Sequence, residues 1–196
     1  MLEAGNGREL LQLLPTTPLV QIVLLDVQMP EMDGFETCRQ VKRKYPDIKV
    51  LALTQLDDAD TIDKMLELGV DGYFTKNTDP SELQVALQQL ADGAFHFEER
   101  LTVVIDRIFQ KARKRQPKPA SNVVFTSREI EIMHLTLQGG SEVNIGEALS
   151  ISRKTVEKHK RNLMEKTEAQ NFIGVITFAL LNGLLTLKDL KKLQAE

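Results

Sequence analysis

An apolar run that stops on an aspartate and turns at once constrains this chain more than any other stretch. The run is VLLDVQMPEMDG, Val23 to Gly34. Ile22-Val-Leu-Leu25 suits a short buried strand. Met29-Pro30 and Asp33-Gly34 are turn chemistry, so Asp26 falls at the strand's carboxyl end. Taken alone, such an aspartate is most often a turn or cap residue. The segments that follow change its meaning. Phe35, Cys38 and Val41 recur at helical spacing. Ile48 to Thr54 (IKVLALT) is a second strand. Ile62, Met65 and Leu66 mark a helix that Gly69 terminates. Val70 to Thr75 (VDGYFT) is a third strand. Asp79 and Pro80 suit the N-cap and first position of a helix with Leu83, Ala86, Leu87 and Leu90 as its stripe. Strand-helix alternation of this kind predicts an α/β fold with a doubly wound parallel sheet.

The rest of the chain has another character. Up to Phe109 there are 10 basic against 19 acidic residues; from Gln110 onward there are 15 against 9. An acidic front and a basic back point to two modules with different partners, the back suited to a polyanion. Glu98 to Lys114 reads as a connecting helix. Lys111 to Asn122 (KARKRQPKPASN) carries five basic residues and two prolines, and reads as a solvated linker. Fully extended, Gln110–Asn122 spans ~40 Å. The predicted domains are therefore 1–97, a linker helix and basic linker over 98–122, and an all-α domain over 123–196. The single cysteine, Cys38, permits no internal disulfide and fits a reducing cytosol. No basic-then-apolar leader is visible at the start. Phe172 to Leu185 is shorter than the ~20 residues a membrane helix needs. The expected location is cytoplasmic, with no membrane partner. His96, His134 and His159 lack metal-ligand spacing.

In an open parallel sheet, active residues gather in loops at the strands' carboxyl ends. Here those ends carry Asp26, Thr54 and Lys76. A carboxylate, a hydroxyl and an ammonium form a coherent set for phosphoryl chemistry. The carboxylate is the nucleophile, and the other two bind phosphoryl oxygens. VLLDVQMPEMDG, LALT and GYFTK, in this order, resemble a two-component response-regulator receiver domain over about Glu3 to Phe97. The resemblance implies that Asp26 is the phosphoacceptor and Thr54 the switch hydroxyl. It makes Lys76 the phosphate-binding lysine and Tyr73 the rotating switch aromatic. It also implies Mg²⁺, held by Asp26 and the backbone carbonyl of Gln28. The acidic pair that receivers add to that metal site is absent. EAGNG resembles the end of a receiver's second strand, so the first strand, first helix and most of the second strand are missing. The true start is expected upstream. Without its central neighbour, the Ile22–Leu25 strand would have an unpaired edge.

In the back half, Thr126-Ser-Arg-Glu129 is a capping box. Ile130, Met133 and Leu137 follow at helical spacing. Ser141 to Leu149 is a short helix, Ser150-Ile151-Ser152 a tight turn, and Arg153 to about Lys166 a long basic helix capped by Ser152. That is the helix-turn-helix plan. Val156, His159 and Leu163 form an inward stripe with Lys160 at its margin. Lys154, Lys158, Arg161 and Glu165 share a face suited to a major groove. TSREIEIMHLTLQGGSEVNIGEALSISRKTVEKHKRNLMEKT closely resembles the LuxR-type helix-turn-helix of NarL/FixJ response regulators. The resemblance implies base or phosphate contacts from Lys154, Thr155, Lys158 and Arg161. It also implies a dimerising last helix, with Phe172, Val175, Ile176 and Ala179 as its face, although a plain core helix is the alternative. Asn144 and Gly146 depart from the usual scaffold helix, and Gly146 is expected to weaken it by ~1 kcal/mol relative to alanine.

The combined reading is a cytoplasmic transcription regulator of the NarL/FixJ type. A sensor histidine kinase would phosphorylate Asp26, and a homodimer would bind promoter DNA at half-sites ~34–36 Å apart. One rival is a phosphorylation-independent DNA-binding protein with a degenerate receiver. Another is an aspartate-nucleophile phosphohydrolase of the haloacid-dehalogenase kind, which needs a second aspartate where Gln28 stands. The chain is not expected to be an enzyme.

Overall fold

The computed structural model describes residues 2–55, 59–94, 96–97, 110, 123–138 and 140–185. The chain divides into two compact units, Met1–Ala91 and Asp92–Glu196. In the first unit the order is α1 (Gly7–Leu13), a 3₁₀ turn, β1 (Ile22–Leu25), α2 (Gly34–Lys44), β2 (Lys49–Thr54), α3 (Ala59–Glu67), β3 (Gly72–Thr75) and α4 (Pro80–Ala91). Local chemistry sets most of these boundaries. The Asn6 side chain caps α1 by accepting from the Glu9 amide. Asp33 caps α2 by accepting from the Glu36 amide at 2.8 Å, and Lys42, Arg43 and Lys44 meet the negative end of its dipole. Gly69, at φ 93°, closes α3. Pro80 opens α4 where Asp79 accepts from the Ser81 amide.

β1, β2 and β3 are parallel. Leu25 sits opposite Ala52, and Ala52 opposite Tyr73. β2 is buried through its middle, with Val50, Leu51 and Ala52 fully covered. This explains why its sequence lacks polar alternation. Leu51 and Phe74 pack with Ala86 and Leu90 of α4. Among the described residues β1 is the edge strand, and it leaves Leu24 44% exposed. At the strands' amino ends the Lys42 ammonium pairs with Asp71 inside the protein. It also donates to the Ile48 carbonyl, while Asp71 accepts from the Val50 amide.

The second unit contains a two-residue strand, β4 (His96–Phe97), then α5 (Ser127–Leu137), α6 (Glu142–Leu149), α7 (Arg153–Thr167) and α8 (Phe172–Leu181). Apart from Gln110, the expected helix over Glu98–Lys114 and the basic linker lie outside the described residues. The capping box forms as read: Thr126 accepts from the Glu129 amide, and Glu129 accepts from the Thr126 amide. Glu129 is buried and also accepts two hydrogen bonds from the Lys166 ammonium, at 2.7 and 2.8 Å. Burial alone would raise the Glu129 carboxyl's pKa; Lys166 and the Thr126 amide outweigh it and hold the group below its usual range.

Three expectations need correction here. Phe172, Val175, Ile176 and Ala179 are buried in one cluster with Met133 and Leu163. They form the unit's core and present no face to a second copy, because α8 carries too few polar residues to leave that side wet. Lys160 lies inside the packed stripe at 6% exposure, not at its margin. Gly146 does more than lower helix propensity. A Cβ there would lie 2.7 Å from the Ile151 carbonyl oxygen, so the close approach of the turn to α6 requires glycine.

Two outcomes follow from this packing. Gly146→Ala should destabilise the chain by about 1–3 kcal/mol in urea unfolding, because overpacking outweighs the propensity gain. Lys166→Met should cost about 1–2 kcal/mol at pH 7. A carboxyl whose folded pKa is lowered stabilises above its unfolded value and loses that effect as pH falls through the folded value. The difference between Lys166→Met and the unaltered chain should therefore shrink below about pH 4.

Candidate functional site

Parallel register brings the three strand ends to one edge of the sheet. Thr54 pairs with Thr75, and the Lys76 amide donates to the Thr54 carbonyl at 2.9 Å. Asp26 directly follows Leu25, on the far side of β2. Even so, the Lys76 ammonium reaches the Asp26 carboxylate and forms an ion pair with it. The other Asp26 oxygen accepts from the Gln28 amide at 3.0 Å. Both side chains of the pair are partly exposed, 40% for Lys76 and 27% for Asp26. A nucleophilic carboxylate open to solvent, with a cation fixed beside it, can receive a phosphoryl group and stabilise the charge that arrives.

Thr54 ends β2, whereas Tyr73 is the second residue of β3, opposite Ala52; both are buried. Their side chains face inward, so any role toward a group on Asp26 requires them to move. Gln28 is exposed, and its amide already serves Asp26. Among the described residues, no group of three His, Cys, Asp or Glu side chains could hold a metal ion. One carboxylate and one carbonyl fall short of the oxygen set that Mg²⁺ takes.

Gly34 supports this loop and had no role in the sequence reading beyond its turn. Its amide donates to the Val27 carbonyl at 2.9 Å. A Cβ at Gly34 would overlap the Asp26 carbonyl and lie 2.6 Å from the Val27 Cα. The Asp33-Gly34 pair in the quoted motif was the available signal, since an aspartate cap followed by glycine allows a helix start to press on a strand end. Glu31 holds a positive φ of 61° in the same loop, and the Met32 amide donates back to the Pro30 carbonyl.

The second unit offers a separate surface. α6, the turn and α7 form the helix-turn-helix. Ser150 takes the left-handed conformation at φ 54°, and the Ile151 amide donates to the Gly146 carbonyl. Arg128 of α5 ties the turn down by donating to the Leu149 carbonyl at 2.8 Å. Sequence reading missed Arg128, because nothing in the chain order links it to residue 149. On α7, Lys154, Lys158 and Arg161 are exposed and recur at helical spacing, so they share a face. Glu157 and Glu165 are exposed as well. Thr155 is half-buried; its hydroxyl bonds to the Ser152 hydroxyl at 2.9 Å within the helix cap. Basic side chains on the second helix of such a motif can meet phosphates and guanine edges.

If the Asp26 loop needs the close contact at Gly34, Gly34→Ala should lower stability by about 1–3 kcal/mol, measured by thermal unfolding.

Comparison with known proteins gives two family matches. Residues 1–88 match the family described as response regulator receiver domain, and residues 123–179 match bacterial regulatory proteins, luxR family. The chain is 31% identical over 186 residues to the uncharacterized transcriptional regulatory protein YxjL of Bacillus subtilis, covering 93% of this chain and 84% of that protein. It is 33% identical over 165 residues to the response regulator protein VraR of Staphylococcus aureus, covering 84% of this chain and 76% of that protein. A solved structure of the RcsB response regulator of Salmonella typhimurium aligns at 23% identity and a TM-score of 0.45, over 88% of this chain and 81% of that chain.

Proposed function

Because the chain belongs to the response regulators that join a receiver domain to a LuxR-type helix-turn-helix domain, we propose that it is a transcription regulator switched by phosphorylation of Asp26. The Asp26–Lys76 ion pair at the sheet's carboxyl edge carries this reading. The phosphoryl donor is a phosphohistidine on a sensor histidine kinase. An Asp26 carboxylate oxygen attacks phosphorus, the N–P bond breaks, and the imidazole leaves with its electron pair. The acyl phosphate stays paired with Lys76. Thr54 turns toward it from its buried position, and Tyr73 follows, so one new dianion is converted into a change of packing.

Receiver domains as a class use Mg²⁺. The donors present among the described residues of this chain do not make a site for it. That observation favours a second reading, in which the receiver is silent and DNA binding is independent of phosphorylation. A phosphohydrolase reading has only Gln28 where a second catalytic aspartate is needed.

The receiver spans 1–97, the linker 98–122 and the DNA-binding domain 123–196. Lys154, Lys158 and Arg161 contact promoter DNA, with Thr155 at the helix start. The chain binds as a homodimer, through a surface other than the buried Phe172, Val175, Ile176 and Ala179. No helix among the described residues is long and apolar enough to cross a membrane, and the proposed work is done in the cytoplasm.

Intact-mass spectrometry after treatment with a small acyl-phosphate donor tests the switch. One phosphoryl adduct is expected, absent from Asp26→Asn; no adduct on the unaltered chain, with or without Mg²⁺, leaves the silent-receiver reading. For DNA, Lys158→Ala should weaken duplex binding at every sequence and reduce the slope of log K against log salt by about 1. An unchanged slope in a salt titration would remove Lys158 from the phosphate contacts.

A further inference from the structure

The second unit begins well before the helix-turn-helix, and its first residues are built into that motif. The Glu142 amide donates to the Asp92 carbonyl at 2.9 Å. Glu142 is the first residue of α6, where amides have no acceptor within the helix. Ser141 serves the Asn144 amide, and Asp92 serves Glu142. The next carbonyl, that of Gly93, accepts from the Lys160 ammonium at 2.7 Å. Lys160 is buried on the inward stripe of α7, together with Val156 and Leu163. Its ammonium also lies 3.8 Å from Glu142 and 5.5 Å from the centre of the Phe172 ring. Gly93 has φ +76°, and a Cβ there would overlap the Glu142 carboxylate.

Two successive carbonyls thus satisfy two donors that would each be costly if left alone, a buried helix-end amide and a buried ammonium. The left-handed φ at Gly93 strains any side chain placed there, and a Cβ would also displace the Glu142 carboxylate. We propose that the Asp92–Gly93 turn, at the start of the second compact unit, is a latch on the helix-turn-helix, with Gly93, Glu142 and Lys160 as positioning residues for the recognition helix α7. The latch lies outside residues 123–179, which match the luxR family. Its functional part rests on the reading of α7 as the DNA-contacting helix. Lys154, Lys158 and Arg161 stay exposed while the turn is docked. The latch therefore supports the reading face and does not mask it, and releasing it weakens DNA binding without removing a phosphate contact.

The test uses the full chain with Gly93→Ala, Lys160→Met and the double variant. Lys160→Met keeps the stripe apolar, and Gly93→Ala leaves the helix-turn-helix sequence untouched. Affinity for a fluorescent DNA duplex is measured across a salt series, and exchange of the Glu142 amide by hydrogen–deuterium exchange. Each single change should lower affinity about tenfold. The double variant should be no worse than the weaker single within about twofold, since both break one contact. The salt slope should not change, and the Glu142 amide should lose protection in Gly93→Ala. Losses that multiply, unchanged affinity, or a salt slope reduced by about 1 in Lys160→Met would overturn the positioning role. An unaltered Glu142 amide in Gly93→Ala would overturn the latch itself. If the unaltered chain binds no duplex while Glu142 protection still falls in Gly93→Ala, the DNA-binding reading fails and the docked turn stands.

Discussion

Parallel pairing of β1, β2 and β3 is the constraint from which the rest of the first unit follows. Strands that run the same way cannot be joined by tight hairpins, so each return is a crossover through a helix. The helices cover the sheet and make β2 apolar through its middle. The same direction of travel gathers every carboxyl end at one edge. Asp26, Thr54 and Lys76 come from three separate stretches of sequence and meet there for that reason alone. Had one strand been reversed, its functional residue would lie at the opposite end of the sheet.

The two ends of the sheet treat charge differently. At the amino ends, Lys42 and Asp71 are sealed in the interior, with the Ile48 carbonyl and Val50 amide completing their hydrogen bonds. At the carboxyl ends, Lys76 and Asp26 form a pair that solvent and a donor can reach. A sealed pair holds α2 against the sheet and has no room for an incoming group. An open pair gains little stability from its mutual attraction, but it keeps a cation beside an accessible carboxylate.

Lysines recur as fasteners in the second unit, Lys160 buried and Lys166 exposed. Lys166 links the end of α7 to the capping box of α5 through Glu129. Lys160 links the middle of α7 to Glu142 and to the Gly93 carbonyl. Arg128 adds a third tie, from α5 to the turn. The buried members, Lys160 and Glu129, carry a large desolvation cost, so removing the partner of either hurts more than the pair helps. What they do supply is direction, because a hydrogen-bonded ammonium accepts few geometries. The angle between α6 and α7 is held by these ties as well as by the apolar cluster of Ile132, Ile145 and Val156.

Local order and periodicity made the elements legible. The strand ends at Asp26 and Thr54, the caps at Asp79, Thr126 and Ser152, and the turn at Ser150 are all short-range features, readable from neighbours in the chain. So was the joint presence of Asp26, Thr54 and Lys76, because parallel topology converts sequence order into spatial position. The face of the last helix was misjudged because an apolar helix reads the same whether it packs inward or against a second copy. Gly146 was misjudged because its neighbour is the Ile151 carbonyl, which only the turn geometry brings close. By itself, then, the sequence determined the α/β and helix-turn-helix elements, the residue types brought to the sheet's carboxyl edge and the basic face of α7. Tertiary structure alone decided that Lys76 pairs with Asp26, that Thr54 and Tyr73 are turned inward, and that Lys160 is sealed beneath Gly93. Those outcomes depend on which surfaces meet across long stretches of chain, and a local pattern carries no record of its distant partner.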